Sequence, residues 1–456
     1  MKKPLQKFDS FAATLFPAEV EHIRANNEIS DPEILSIIEK LHILVNFPEK
    51  HSGFDAKIDP RKYSRIIKYF NTKLERIDVD AYYAWISKID FLITTDAIPP
   101  EEQQRIRREV ESFEPAWFHA ASFYRTMQNY KRYLLIRFRE KDYIIIKNFL
   151  ENHADFYLEN ENIEKKIEEL TSKFVLPENL NSAKSKKEDV KWLLDIFYNE
   201  EITKKNRYQA LVAYNLYHIS TRQITTMLEP MDELKKSLLN GEFYSRRILS
   251  NYYANKLLLR NYEGNLKKAA FCGLQSIKQF TEDYLYYLNN YCSVLMNMRR
   301  FEEVLQHSKA SITYYKLSQD GSRRVIFIAN YCRCLNHYSD FKKSIRIAKR
   351  LYEELGNSIF QFKWHYFFRM YFYALVKDGR LSELLRLERK NKLAEQEQKS
   401  GLTPHLKIYT LVASFLEMKV TEIVFKENLQ EILVCLSPEQ KTDIDQLLAD
   451  TMRMAQ

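Results

Sequence analysis

Three stretches of this chain repeat one frame, and that frame limits the fold more than any other feature. The first runs from Leu288 through Phe301 to Val304, the second from Ile328 through Phe341 to Ser344, and the third from Phe368 through Leu381 to Leu384. Their anchors Phe301, Phe341 and Leu381 are spaced 40 residues apart each time. A fixed period of this kind is the mark of a repeat architecture, in which each unit buries its apolar face against its neighbours. Each stretch reads as a helix, a short polar turn and a second helix. The first helices carry apolar residues at i, i+3, i+4 and i+7: Leu288, Tyr291, Cys292 and Leu295, then Ile328, Tyr331, Cys332 and Leu335, then Phe368, Tyr371, Phe372 and Leu375. This is the spacing of an amphipathic helix with one buried stripe. Cys292 and Cys332 share a slot where a small side chain lets the paired helix come close.

These units resemble tetratricopeptide repeats, with the likeness clearest over 245–390. The shared features are the large–small–large order on the first helix, a turn supplied in the third unit by Gly379, an aromatic or Leu anchor and a small or apolar residue three on. The period of 40, in place of the family's shorter one, and Arg299 and Ser339 at the turn depart from the family. An upstream unit around Gly264, Leu266 and Ala269 is degenerate, with Lys256 and Arg260 where apolar residues belong. The resemblance implies an all-α fold, a right-handed α-solenoid of antiparallel helix pairs with an N-terminal helical region. It also implies a scaffold, not an enzyme.

Composition agrees with an all-α chain. Only 8 Gly and 12 Pro occur in 456 residues, too few for the turns of a β-sandwich or barrel. Residues 1–176 are expected to form an N-terminal helical domain, 177–188 a linker, 189–420 the repeats and 421–456 capping helices. Helices are expected near 31–46, 61–76, 78–95, 99–112, 114–131, 142–157, 160–174 and 187–199. Asp-Pro pairs at Asp31 and Asp59 and the acids after Pro100 suit helix starts. The apolar runs beginning at Tyr133 and Tyr143 fit a hairpin or helices, and the flanking patterns favour helices. Asn391 to Pro404 reads as a polar connection.

No phosphate-binding glycine loop, H-E-x-x-H or paired C-x-x-C is present. The ten histidines are dispersed, and the five cysteines are an odd and sparse set, consistent with reduced thiols. Neither a leader with an apolar core nor a membrane-spanning run is found, so a cytoplasmic protein is expected, with no cofactor and no metal.

Two surfaces are candidates for binding. On the first helices, the side opposite the buried stripe carries Tyr286, Asn290, Asn330, Arg333, Arg369, Tyr373 and Lys377, with Asn255 in the degenerate unit. Asparagine is a mediocre helix former, so its recurrence there wants a reason. Its amide both donates and accepts, which suits a peptide backbone. The resembled family uses asparagines on its concave face in this way, and the nearby cations imply an acidic protein or peptide partner. The alternative is nucleic acid bound by the basic block 201–400, through Lys342, Lys343, Arg346 and Lys349 on one second helix. A second mixed cluster, Tyr130 to Lys141, interleaves aromatics and cations as base-stacking surfaces do.

Overall fold

The computed structural model describes residues 3–175, 186–434, 436 and 448. Every regular element among them is helical, and none is a strand. The chain divides into two compact units, residues 1–265 and 266–456. Most of the expected linker 177–188, much of the expected C-terminal cap and Cys435 lie outside the described residues, while Lys186 to Glu188 open a helix.

The first unit contains α1 (Lys3–Thr14), α2 (Pro17–Ala25), α3 (Pro32–Asn46), α4 (Pro60–Ile77), α5 (Val79–Thr94), α6 (Pro100–Glu111), α7 (Ala120–Ile136), α8 (Glu140–Asn152), α9 (Ala154–Val175), α10 (Lys186–Tyr198), α11 (Lys204–Ser220), α12 (Leu228–Leu239) and α13 (Arg246–Tyr262). Asp31, Asp59 and Asp78 each accept hydrogen bonds from the first-turn N–H groups of α3, α4 and α5, so these starts are encoded locally. The run from Tyr133 to Lys147 is helix on both sides of a turn at Phe138, which has φ 57°. Trp85, Ile89, Phe123, Met127, Leu134 and Phe149 pack there into one core. Two expected boundaries move. The helix expected at 114–131 runs Ala120–Ile136, and the break expected after 157 falls at His153. The helices α1 and α2 had no counterpart in the sequence reading. Glu19 of α2 is fully buried and accepts from Phe16 N at 2.9 Å, Tyr244 Oη at 2.6 Å and Arg246 Nε at 2.8 Å. A buried carboxylate needs such partners, because alone it would cost several kcal/mol.

The second unit contains α14 (Leu266–Ser276), α15 (Tyr284–Asn297), α16 (Phe301–Ala310), α17 (Ile312–Leu317), α18 (Gly321–His337), α19 (Phe341–Leu355), α20 (Trp364–Lys377), α21 (Leu381–Asn391), α22 (Leu393–Lys399), α23 (His405–Leu416) and α24 (Glu422–Val434). The pairs α15/α16, α18/α19 and α20/α21 are the three units of the sequence frame. All twelve stripe residues on their first helices are buried. The first helices form a row, α15 on α18, α18 on α20 and α20 on α23, while α16, α19 and α21 each reach the next first helix. This neighbour-to-neighbour packing is compatible with a helical repeat.

The turns explain how the two units without a turn glycine still close like the third. Arg299, Ser339 and Gly379 have φ of 59°, 57° and 72°. The next N–H, of Arg300, Asp340 and Arg380, returns to the carbonyl of Leu295, Leu335 and Leu375 at 2.9 Å in each case. This is a Schellman closure, in which one left-handed residue ends the helix. Met418, with φ 58°, repeats it between α23 and α24, where Lys419 N meets Ser414 O at 2.9 Å. The fourth pair is therefore built like the other three. The expected polar connection 391–404 holds the short helix α22.

Candidate binding surfaces

Of the asparagines expected to face a peptide, Asn330 serves the packing of the first helices instead. Asn330 is 4% exposed, which corrects its expected place on the surface. Its Nδ2 points to Asn289 O at 3.4 Å, and its Oδ1 accepts from Tyr366 Oη at 2.9 Å. Asn289 and Asn336 continue the pattern, donating to Arg323 O and Met370 O at 3.0 Å each. The row α15–α18–α20 is thus pinned by amide side chains that reach the neighbouring helix. Asn290 is half-buried, and its amide nitrogen has no hydrogen-bond partner among the described residues. Tyr286 is exposed, and Arg333, Arg369, Tyr373 and Lys377 are half-buried. In the first unit, Asn255 is half-buried and donates to Asn251 Oδ1 at 3.1 Å.

The basic stripe forms a groove. Lys342, Lys343, Arg346, Lys349 and Arg350 of α19 line a cleft of about 740 Å³ together with Asp340, Ile345, Glu353 and Arg380. Residues 342, 346, 349 and 350 lie at i, i+4, i+7 and i+8, so one face of the helix carries them, and all four are exposed. Ser344, Ile345, Ala348 and Leu351 bury the other face. None of the five cations of α19 forms an ion pair among the described residues, whereas Arg380 is held by Asp378 at 2.8 Å. Asp340 caps α19 by accepting from Lys343 N, which occupies one of the two acids in the groove. Arg380 was not foreseen. It lies 40 residues after Asp340, at the turn of the next unit, and the stripe carried forward by one period gives Ser382, Glu383, Arg386 and Arg389, so the sequence pattern does not point to it.

Several residues of the other sequence candidates are engaged in packing or ion pairs. In the first unit, Tyr130 is buried and stacks on Tyr133 at 5.8 Å. Arg137 lies 4.2 Å over the Tyr133 ring and pairs with Asp96, while Arg139 pairs with Asp142. The Phe138 ring, at the turn between α7 and α8, is 90% exposed. Cys272, Cys292, Cys332 and Cys334 are buried thiols outside any disulfide, and burial pushes Cys332 and Cys334 up to about 12, so both stay protonated. The groove holds no group of metal ligands. Among the described residues one such group occurs elsewhere in the second unit, His365, Glu397 and His405. No helix of the described residues is long and apolar enough to cross a membrane. Comparison with models of protein families, with curated proteins and with solved structures finds no match to this chain.

Proposed function

We propose that the protein is a non-enzymatic interaction scaffold, a tetratricopeptide-like right-handed solenoid of antiparallel pairs in its repeat region, that receives an acidic protein segment in the α19 groove. The observation that carries this reading is the set of five cations on α19 without an ion pair, over a groove with two acids. Elsewhere in the chain cations are commonly neutralised, as Lys62 is by Asp31 and Glu33 and Arg323 by Asp283 and Asp320. An uncompensated stripe attracts anionic partners and speeds their encounter. A nucleic-acid backbone would meet the same cations, but no aromatic ring lines the groove, so bases would find no stacking platform there. The buried, reduced thiols suit a cytoplasmic setting.

The test compares a labelled glutamate-rich peptide with a single-stranded oligonucleotide of equal charge, by fluorescence anisotropy. The triple variant Lys342→Glu, Arg346→Glu and Lys349→Glu should lose at least about tenfold in peptide affinity, which is about 1.4 kcal/mol. Tighter binding of the oligonucleotide than of the peptide would replace this reading with nucleic-acid binding. Absence of binding to both at low salt would remove the groove. Loss in Tyr286→Ala with Arg333→Ala, but not in the triple variant, would move the site to the first helices.

A further inference from the structure

Three side chains from three elements converge in the second unit: His365 on α20, Glu397 on α22 and His405 at the start of α23. One ligand atom from each lies within 4.8 Å of the other two. Glu397 is 1% exposed and His405 7%. His365 Nε2 donates to Glu397 Oε1 at 2.5 Å. The two imidazole rings are 5.7 Å apart and inclined by 55°. We propose that His365, Glu397 and His405 form a binding site for a divalent transition-metal ion of the zinc class. This does not depend on the groove or on its partner.

The chemistry of the donors supports it. Two imidazoles and one carboxylate are the donor set of open zinc sites, which keep a fourth position for water or another ligand. The same set also suits iron(II), cobalt(II) and manganese(II) in order of softness and geometry. A tetrahedral ion bonded at about 2.0–2.1 Å needs ligand atoms roughly 3.3 Å apart. The three atoms therefore need shifts of about an ångström, within reach of side-chain rotation. The carboxylate is already held in place, because Leu406 N donates to Oε1 and Lys407 N to Oε2, both at 3.0 Å. Outer hydrogen bonds of this kind orient a metal ligand and limit what it loses on binding. A cleft adjoins the cluster on one side. Glu397 forms part of the wall of a cleft of about 480 Å³ that Ala394, Thr403, Pro404 and Lys407 also line. An ion here would join α20 to α22 and α23, the two helices that follow α21.

Glu397 also caps α23, so the test must separate a cap from a metal site. Tag-free protein is stripped with a chelator and titrated with cobalt(II) and zinc(II), with bound metal measured directly and cobalt followed by its d–d absorption. One ion per chain is expected, with the absorption of a four- or five-coordinate cobalt centre and a rise in Tm on zinc addition. His365→Gln keeps a donor toward Glu397 but is a poor metal ligand, and His405→Gln removes the other imidazole. Each should weaken metal binding by at least about tenfold, in the range typical of lost metal-site contacts. Each should unfold in metal-free buffer at nearly the wild-type temperature. If wild type takes up no stoichiometric metal, the cluster is a cap alone and the proposal fails. Equal binding by both variants would place the ion elsewhere and also overturn it.

Discussion

Asparagine in mid-helix makes sense only once its neighbours are in place. Residues 289, 330 and 336 look like surface polar positions because they fall opposite or beside the apolar stripe. In the fold their amides span to the next first helix, where a carbonyl or hydroxyl waits. Asn330→Ala should therefore destabilise the protein by about 1–3 kcal/mol, because the half-buried Tyr366 hydroxyl and the Asn289 carbonyl lose a partner. Urea unfolding would show it as a lower midpoint at unchanged slope, and an unchanged midpoint would mean that the amide is not part of the packing. The turn residues allow the opposite experiment. Ser339 adopts φ 57°, which disfavours any side chain with a Cβ. Ser339→Gly should stabilise by about 0.5–1 kcal/mol, the relief of that strain less the added freedom of the unfolded chain. A lower melting temperature in that variant would mean that the serine makes a contact worth more than its strain.

Among the elements, the first helices were the most legible, and the helix pairs followed from their period. The reason is that a stripe at i, i+3, i+4 and i+7 needs only local geometry to be recognised. Contacts made at the ends of helices were less legible. Phe341 reads as a residue wedged between repeats, and it does meet the next first helix, its ring 6.2 Å from that of Tyr373. Yet it is only half-buried. Phe341→Ala is then expected to cost about 1–2 kcal/mol, below the ~3–5 kcal/mol of a fully enclosed phenylalanine. Thermal melting of this variant beside Phe368→Ala, whose ring is fully buried, should show the larger loss in the second. Equal losses would contradict the register of the pairs. Phe301 follows the same rule as Phe341, stacking on His337 of the next first helix at 3.9 Å.

At the scale of the whole molecule, the two units differ most in charge. Residues 1–265 carry 41 Lys and Arg against 40 Asp and Glu, and residues 266–456 carry 29 against 21. The net charge of +9 therefore belongs almost entirely to the second unit, which also holds the groove. Raising salt from about 50 mM to about 300 mM shortens the screening length. It should weaken binding of an acidic peptide several-fold, and the triple charge-reversal variant should show a flatter dependence. A slope identical in both proteins would mean that the groove cations do not meet the ligand.

The sequence by itself determined the all-helical class, the 40-residue frame, the buried stripe on each first helix and the basic stripe on α19. Each of these is written in the spacing of residues that lie within one or two turns of each other, or at one fixed period. The tertiary structure alone decided that Asn330 is buried, that Arg380 joins the stripe from the next pair and that Glu19 is enclosed by Tyr244 and Arg246. It alone brought His365, Glu397 and His405 together, from positions 32 and 8 residues apart in the chain. His365 and His405 are one 40-residue period apart, at the starts of the first helices α20 and α23, whereas Glu397 of α22 lies outside the frame and joins them only through how these helices stack. A side chain such as Glu397, which meets its partners only through packing, leaves no pattern along the chain.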